Sequence, residues 1–275
     1  MQKDVHFCLT YALARIVGIE PTAAKEIAWA DQYTDDLTEA ELHGIQTQCK
    51  KLGNWSDRQI QLSVLIPFHF IPGGTPESEW PWEVTENSAR AKALVRVALR
   101  QIDSLKRFSL GIALHTLQDT FSHQGFSGWK EEKNHCYPWY YLESALPEVG
   151  HTEMLVVPDM VDRKWIDPRT DKEINNQERA LRAARETFLV LARYKGLSRP
   201  AAEWKKNNLD QRLSSIFQER SYDTRKKRLR ALVVAPRPQY SKVSTSLRKK
   251  HAAAFMHAAT RHLSQAIGTC ADLAR

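Results

Sequence analysis

The 275-residue sequence predicts an all-α fold, a multi-helix globular domain with a metal cluster in a cleft between helices. Three observations predict it. Apolar residues recur at helical spacing along most of the chain, and β-branched alternation is scarce. In addition, His115, Asp119 and His123 stand at i, i+4 and i+8 inside one apolar stretch. The length is enough for one large core, and 42% hydrophobic content belongs to a folded chain rather than a disordered one.

The elements follow in order. Val5, Leu9, Leu13 and Ile16 predict a helix over 4–17. Pro21, well placed in a first turn, opens a second helix through Ile27, Ala28 and Trp29. Thr38 with Glu41 makes a capping-box start for a third, and another helix covers 57–66. The stretch IPGGTPESEWPWEV (71–84) holds three prolines and two glycines and reads as a loop. Two longer helices are expected over 86–106 and 108–124, then an irregular aromatic segment from Gly125 to Tyr141. Polar residues 157–175, with Pro158 and Pro168, read as a connection; helices resume over 176–195, 199–207, 209–219 and 242–271.

Composition narrows the function. No apolar run approaches the ~18 residues that cross a bilayer. Asp4 and His6 interrupt what would be a signal h-region, and no small-residue cleavage site follows. The expected location is the cytoplasm, or outside the cell by a route without a cleavable signal. Cys8, Cys49, Cys136 and Cys270 form no C-x-x-C pair, so a metal here is expected to use nitrogen and oxygen ligands. The overall charge of +8 conceals a net of −7 over residues 1–160 and +15 over 161–275. The acidic part is expected to form a metal-binding helical core. The basic part (161–275) is expected to pack on it as one domain, the alternative being a boundary near 160–175. A basic half suits a polyanion such as nucleic acid or an anionic lipid surface, or is simply a solvated helical face.

The segment LGIALHTLQDTFSHQGF (110–126) carries the chemistry. At i, i+4 and i+8 the side chains of His115, Asp119 and His123 drift only about 80° around a helix, so they share one face. Leu110, Leu114, Leu117 and Phe121 fall on the opposite side, so the helix must be buried all round. An unpartnered carboxylate there costs several kcal/mol, order of magnitude, and a divalent cation removes that cost. Other segments offer His6, Asp31 and Asp35 (one turn apart in AWADQYTDD), His69, His151 and Asp159. Each alone reads as a core residue or a cap. His43, His135, His251, His257 and His262 are not expected to ligate.

The order His6, WAD at 29–31, HF at 69–70, HxxxD at 115–119, a further His and GH at 150–151 resembles the zinc-dependent phospholipase C and single-strand nuclease superfamily. The resemblance covers about residues 1–160. It implies an all-helical fold, three zinc ions held by His and Asp/Glu, and hydrolysis of phosphodiester bonds in phospholipid or single-stranded nucleic acid. By position, Asp119 resembles a ligand bridging two metals, His115 a ligand beside it, and His123 and His151 ligands of a neighbouring site. His6 and His69 resemble ligands of the remaining positions. Asp31 matches the WAD aspartate, and Asp35 competes with it one turn on.

Three departures stand out. The family's N-terminal Trp binds zinc through its amine, whereas this sequence begins Met1-Gln2; Asp4 is a candidate substitute. The family spaces its next His six after the bridging Asp, and here His123 follows by four. The family's acidic ligand four after the last His is replaced by Leu155, which makes Asp159 the candidate, with Glu153 behind it.

The implied cofactor is zinc, two or three ions, with another divalent metal as the alternative. Zinc lowers the pKa of bound water towards ~7, and Asp31 or Asp35 is expected to orient that water or take its proton. Trp80, Trp82, Trp129, Trp139, Tyr140 and Tyr141 are candidates to stack on bases or meet lipid, or else to pack a core. The competing readings are weaker or different in kind. No His-Asp dipeptide and no HExxH is present, which disfavours a His-Asp phosphohydrolase and a zincin protease. A basic helical protein that binds nucleic acid or membrane, with a structural metal, is the alternative from another class. An exported toxin-like effector would keep the same chemistry.

Overall fold

Five of the described helices start where a side chain satisfies the first free amides. In the structure, a computed structural model describing residues 1–37, 47–49, 52–75, 77–136 and 146–233, a π-helical turn (Asp4–Leu9) runs into α1 (Thr10–Ile16). The Glu20 carboxylate then accepts from the amides of Thr22 and Ala23 to cap α2 (Pro21–Asp36). Short helices α3 (Arg58–Ile60) and α4 (Ile66–Phe68) flank a second π-helical turn, Gln61–Leu65. Ser88 caps α5 (Ala89–Leu99), and α6 follows over Asp103–Ser122. Strands β1 (Lys164–Asp167) and β2 (Lys172–Asn175) precede α7 (Asn176–Lys195), which Asn175 caps and left-handed Gly196 closes. Helices α8 (Pro200–Lys206), α9 (Leu209–Phe217) and α10 (Tyr222–Arg230) complete the described chain.

Helix α6 is central because no face of it suits water. Every residue from Phe108 to His123 is buried, with leucines on one side and polar groups on the other. Helices α2, α5 and α7 pack around it. The α2 contact depends on Gly111, where an added Cβ would lie 2.3 Å from the Ile27 carbonyl oxygen and 2.6 Å from Ala30 Cβ. One hydrophobic cluster runs from Met1 to Leu229, taking Phe188, Leu191, Leu213 and Phe217 from the basic region.

The structure is thus mostly helical, with three differences from expectation. The connection over 157–175 contains an antiparallel hairpin pairing Trp165 with Ile174 and Ile166 with Glu173. It is held by Arg169, which is bidentate to Asp167, donates to the Gly125 carbonyl at 2.7 Å and lies 3.7 Å over the Phe126 ring. These anchors are tertiary, so the polar composition did not signal a strand. The helix expected over 86–106 ends at Leu99, because Ile102 turns extended and α6 begins at Asp103. Helix α10 was not anticipated: in YDTRKKRLR only Leu229 marks an apolar face, and Arg225 provides the rest of its anchorage. The helices expected from Thr38 and over 242–271 lie outside the described residues.

Candidate metal centre

Six segments bring their histidines and aspartates to one place beside α6. The first π-helical turn supplies His6, α2 supplies Asp31 and Asp35, and His69 sits at the C-cap of α4. Helix α6 supplies His115 and Asp119, with His123 at its C-cap. His151 and Asp159 come from successive 3-10 turns after Gly150. Gly150 is required there: its φ is +59°, and a Cβ would lie 2.4 Å from the Phe70 ring. Three groups of side chains have ligand atoms within 4.8 Å of one another: His6, Asp31 and His115; Asp35, His69 and His115; and His123, His151 and Asp159.

The second group, with Asp119, has the dimensions of a zinc cage. Ligand atoms about 2.0–2.1 Å from a tetrahedral ion lie about 3.3 Å from each other. His69 Nδ1 is 3.1 Å from His115 Nε2. Asp119 Oδ2 is 3.2 Å from each of these nitrogens. Asp35 Oδ1 is 3.6 Å from His115 Nε2 and 3.9 Å from His69 Nδ1. In the third group, Asp159 reaches His123 Nε2 at 3.1 Å and His151 Nε2 at 3.4 Å. Asp119 links the groups. Its Oδ1 lies 2.5 Å from the Met1 amino nitrogen and 3.3 Å from His6 Nε2, and the amino nitrogen is 3.1 Å from Asp159. Asp35, His69, Asp119, His123 and Asp159 line a small cleft of about 80 Å³ together with Trp55.

Four histidines present a free nitrogen to the cluster because an acceptor holds the other. His69 donates from Nε2 to the Thr47 carbonyl, His123 from Nδ1 to the His69 carbonyl, and His151 from Nδ1 to the Leu155 carbonyl, each at 2.7 Å. His6 donates from Nδ1 to Gln118 Oε1 at 2.8 Å. Such backing fixes tautomer and ring direction at metal sites. Among the described residues, His6 Nε2, His115 Nδ1 and Asp31 Oδ1 are buried without a directed hydrogen bond. Orphaned donors and acceptors of this kind fit a cation-binding cluster.

The electrostatics agree. Burial opposes ionisation of Asp119 and Asp159, yet the Met1 ammonium and neighbouring imidazoles hold both well below the usual carboxylate range. Burial and the Met1 ammonium also oppose a proton on His6, but the adjacent Asp119 and Asp31 carboxylates outweigh them and raise its pKa to about 10. His115 is likewise raised, against burial and the charge on His6, by Asp119 and Asp35. His151 is pushed down to about 4, chiefly by burial, and stays neutral as a ligand must.

Asp4 is not brought to the cluster. Its carboxylate accepts from Arg225 Nε at 2.6 Å, and Arg225 Nη1 donates to Asp162 at 3.0 Å, all three side chains being buried. The expected replacement for an amine ligand is therefore committed to a structural ion pair. Glu153 also points elsewhere, to the Cys136 amide and His135. Asp31 is fully buried away from the cleft, so of these two acids it is Asp35 that lines it. Trp82 is buried and stacks on Trp129, so it packs a core; Trp139, Tyr140 and Tyr141 lie outside the described residues.

Thr10 and Gln118 were missed by the sequence reading, which also passed over the Met1 amine in favour of Asp4. A polar run buried in HTLQDT could have flagged Gln118; nothing local marks the others. Three arginines of the basic region form surface ion pairs: Arg182 with Glu86, Arg185 with Asp210 and Arg228 with Glu219. A larger groove of about 730 Å³ between α5 and α7 holds no cluster of histidines or aspartates.

No helix among the described residues is long and apolar enough to cross a membrane. No curated protein and no solved structure matches the chain. One family does, over residues 1–269, so the chain belongs to DUF6765, described as a family of unknown function.

Proposed function

We propose that the protein is a zinc-dependent phosphodiester hydrolase whose cluster of His6, Asp35, His69, His115, Asp119, His123, His151 and Asp159 holds two or three ions in a narrow cleft. The observation that carries this reading is the cage of Asp35, His69, His115 and Asp119, with spacings of 3.1–3.9 Å around a tetrahedral edge of about 3.3 Å. The resemblance to the phospholipase C and single-strand nuclease superfamily supports the reaction type.

Zinc bound here supplies a nucleophile from water near neutral pH and neutralises phosphate charge. The chain's own groups do the rest. Asp35, about a quarter exposed at the cleft, is placed to orient the attacking water and take its proton at a carboxylate oxygen. The backing acceptors hold the imidazoles in the direction that ligation needs. Phe70, which also lines the cleft, stacks on His123 at 4.5 Å and helps fix that ring's direction.

The test begins with metal content of protein purified without chelator, beside a His115→Ala/Asp119→Ala variant. Two or three zinc per chain, lost in the variant, are expected. The loaded protein is expected to cleave bis(p-nitrophenyl) phosphate, after which single-stranded nucleic acid and phospholipid vesicles identify the natural diester. Absence of stoichiometric metal in the wild type, or a loaded protein inert towards all three substrates, would refute the reading.

A further inference from the structure

Asp31 and Asp35 both stand beside the cluster, but their carboxylates meet opposite edges of the same imidazoles. Asp35 Oδ1 faces His115 Nε2 at 3.6 Å, and its Oδ2 is 3.8 Å from His6 Nε2. Asp31 Oδ1 lies on the other edge, 2.9 Å from His6 Nδ1 and 3.6 Å from His115 Nδ1. The second oxygen of Asp31 accepts from Thr10 Oγ1 at 2.7 Å. Thr10 in turn accepts from Gln118 Nε2 at 2.8 Å, and Gln118 Oε1 backs His6. The whole network is shut off from solvent.

Asp31 Oδ1 thus meets the Nδ1 edge of both rings, whereas Asp119 Oδ1 faces His6 Nε2 at 3.3 Å and Asp35 faces His115 Nε2, so Asp31 approaches the imidazoles from the side away from the cage. Of the five clustered histidines, His115 is the one whose outward nitrogen has no directed acceptor. The nearest carboxylate oxygen to that nitrogen is Asp31 Oδ1, which is itself orphaned. These two atoms complete each other once His115 Nε2 is engaged and its proton resides on Nδ1.

We infer that Asp31 is a positioning residue, one buried carboxylate that orients His6 and His115 together, while Asp35 takes the metal-ligand place that the WAD motif would assign to Asp31. The inference rests on the metal-centre reading above. It makes the ions held by His6 and by His115 depend on a single anion that touches neither.

The test compares Asp31→Asn and Asp35→Asn by zinc stoichiometry at saturation, zinc affinity by chelator competition, and the visible spectrum of the cobalt-substituted protein. Asp31→Asn is expected to keep the full ion count and a four-coordinate cobalt spectrum. Its affinity should fall about 10–100-fold, the usual effect of losing a backing carboxylate. Asp35→Asn is expected to lose one ion and change the spectrum. Loss of an ion from Asp31→Asn at saturation, or unchanged affinity, overturns the inference. Wild type without zinc would instead sink the metal reading beneath it. Should Asp31→Asn fail to fold, Thr10→Val, which removes the donor to Asp31 Oδ2 and keeps the charge, is expected to weaken zinc binding at full ion count. Unchanged affinity there likewise overturns it.

Discussion

Replacing Gly111 with Ala tests whether the spacing of α2 and α6 sets the geometry of the cluster. The added Cβ would lie 2.3 Å from the Ile27 carbonyl oxygen, 2.6 Å from Ala30 Cβ and 2.9 Å from the Asp31 amide, where ordinary contact begins at 3.4 Å. All three atoms belong to the backbone or Cβ of α2, so no rotamer change relieves them. The helices must part by about 1 Å, and overpacking of this kind costs ~1–3 kcal/mol. At ~2–4 °C per kcal/mol for a chain of this size, the Tm should fall by about 2–12 °C. The same shift carries Asp35 away from His115 and His69, to which its spacings are already 3.6 and 3.9 Å. Zinc affinity should therefore drop at least about tenfold, a loss of ~1.4 kcal/mol. Gly196→Ala is the control: its φ of +76° makes Ala strained, but nothing lies within 4 Å of the new Cβ. It should cost ~1–2 kcal/mol and leave zinc affinity untouched. Calorimetric melting and chelator competition read both quantities. A Gly111→Ala protein that melts and binds zinc like the wild type would refute the argument.

Two further outcomes follow from the same geometry. His6, with its pKa raised to about 10 in the metal-free protein, carries a proton at pH 8 that ligation through Nε2 must displace. Zinc binding at pH 8 should thus release protons, seen by calorimetry in buffers of different ionisation enthalpy, and affinity should rise with pH. The sign reverses for the stability of chelator-treated protein: His6 stabilises the fold fully below its ordinary 6.5, and this contribution is lost as pH rises through about 10. A chelator-treated protein equally stable at pH 6 and pH 10 would contradict that. Separately, Arg225→Met leaves Asp4 and Asp162 buried without their cation. The expected cost is ~3–5 kcal/mol, with partial recovery on adding Asp4→Asn, and a thermal melt unchanged by Arg225→Met would count against a stabilising role for this buried ion pair.

Much of the helical fold was legible in the sequence because helices are local. The apolar spacing of Val5, Leu9 and Leu13, the proline at 21 and the stripe across 110–126 depend on neighbours within one or two turns. The same periodicity put His115 and Asp119 on one buried face, where composition alone suggests a cation. Choices between residues at long range were not legible. Asp31 and Asp35 share a helix and a residue type, and only the tertiary packing of α2 against α6 sets one at the back of the imidazoles and the other at the cleft. Asp4 looked like a ligand until Arg225, more than two hundred residues away in sequence, took its carboxylate. The hairpin at 164–175 formed for a similar reason, since its anchor at Gly125 lies on another segment. Sequence determines which groups are available and which face of a helix they occupy. Which atom each group meets is decided by close packing, because a hydrogen bond or a ligand contact discriminates over a few tenths of an ångström.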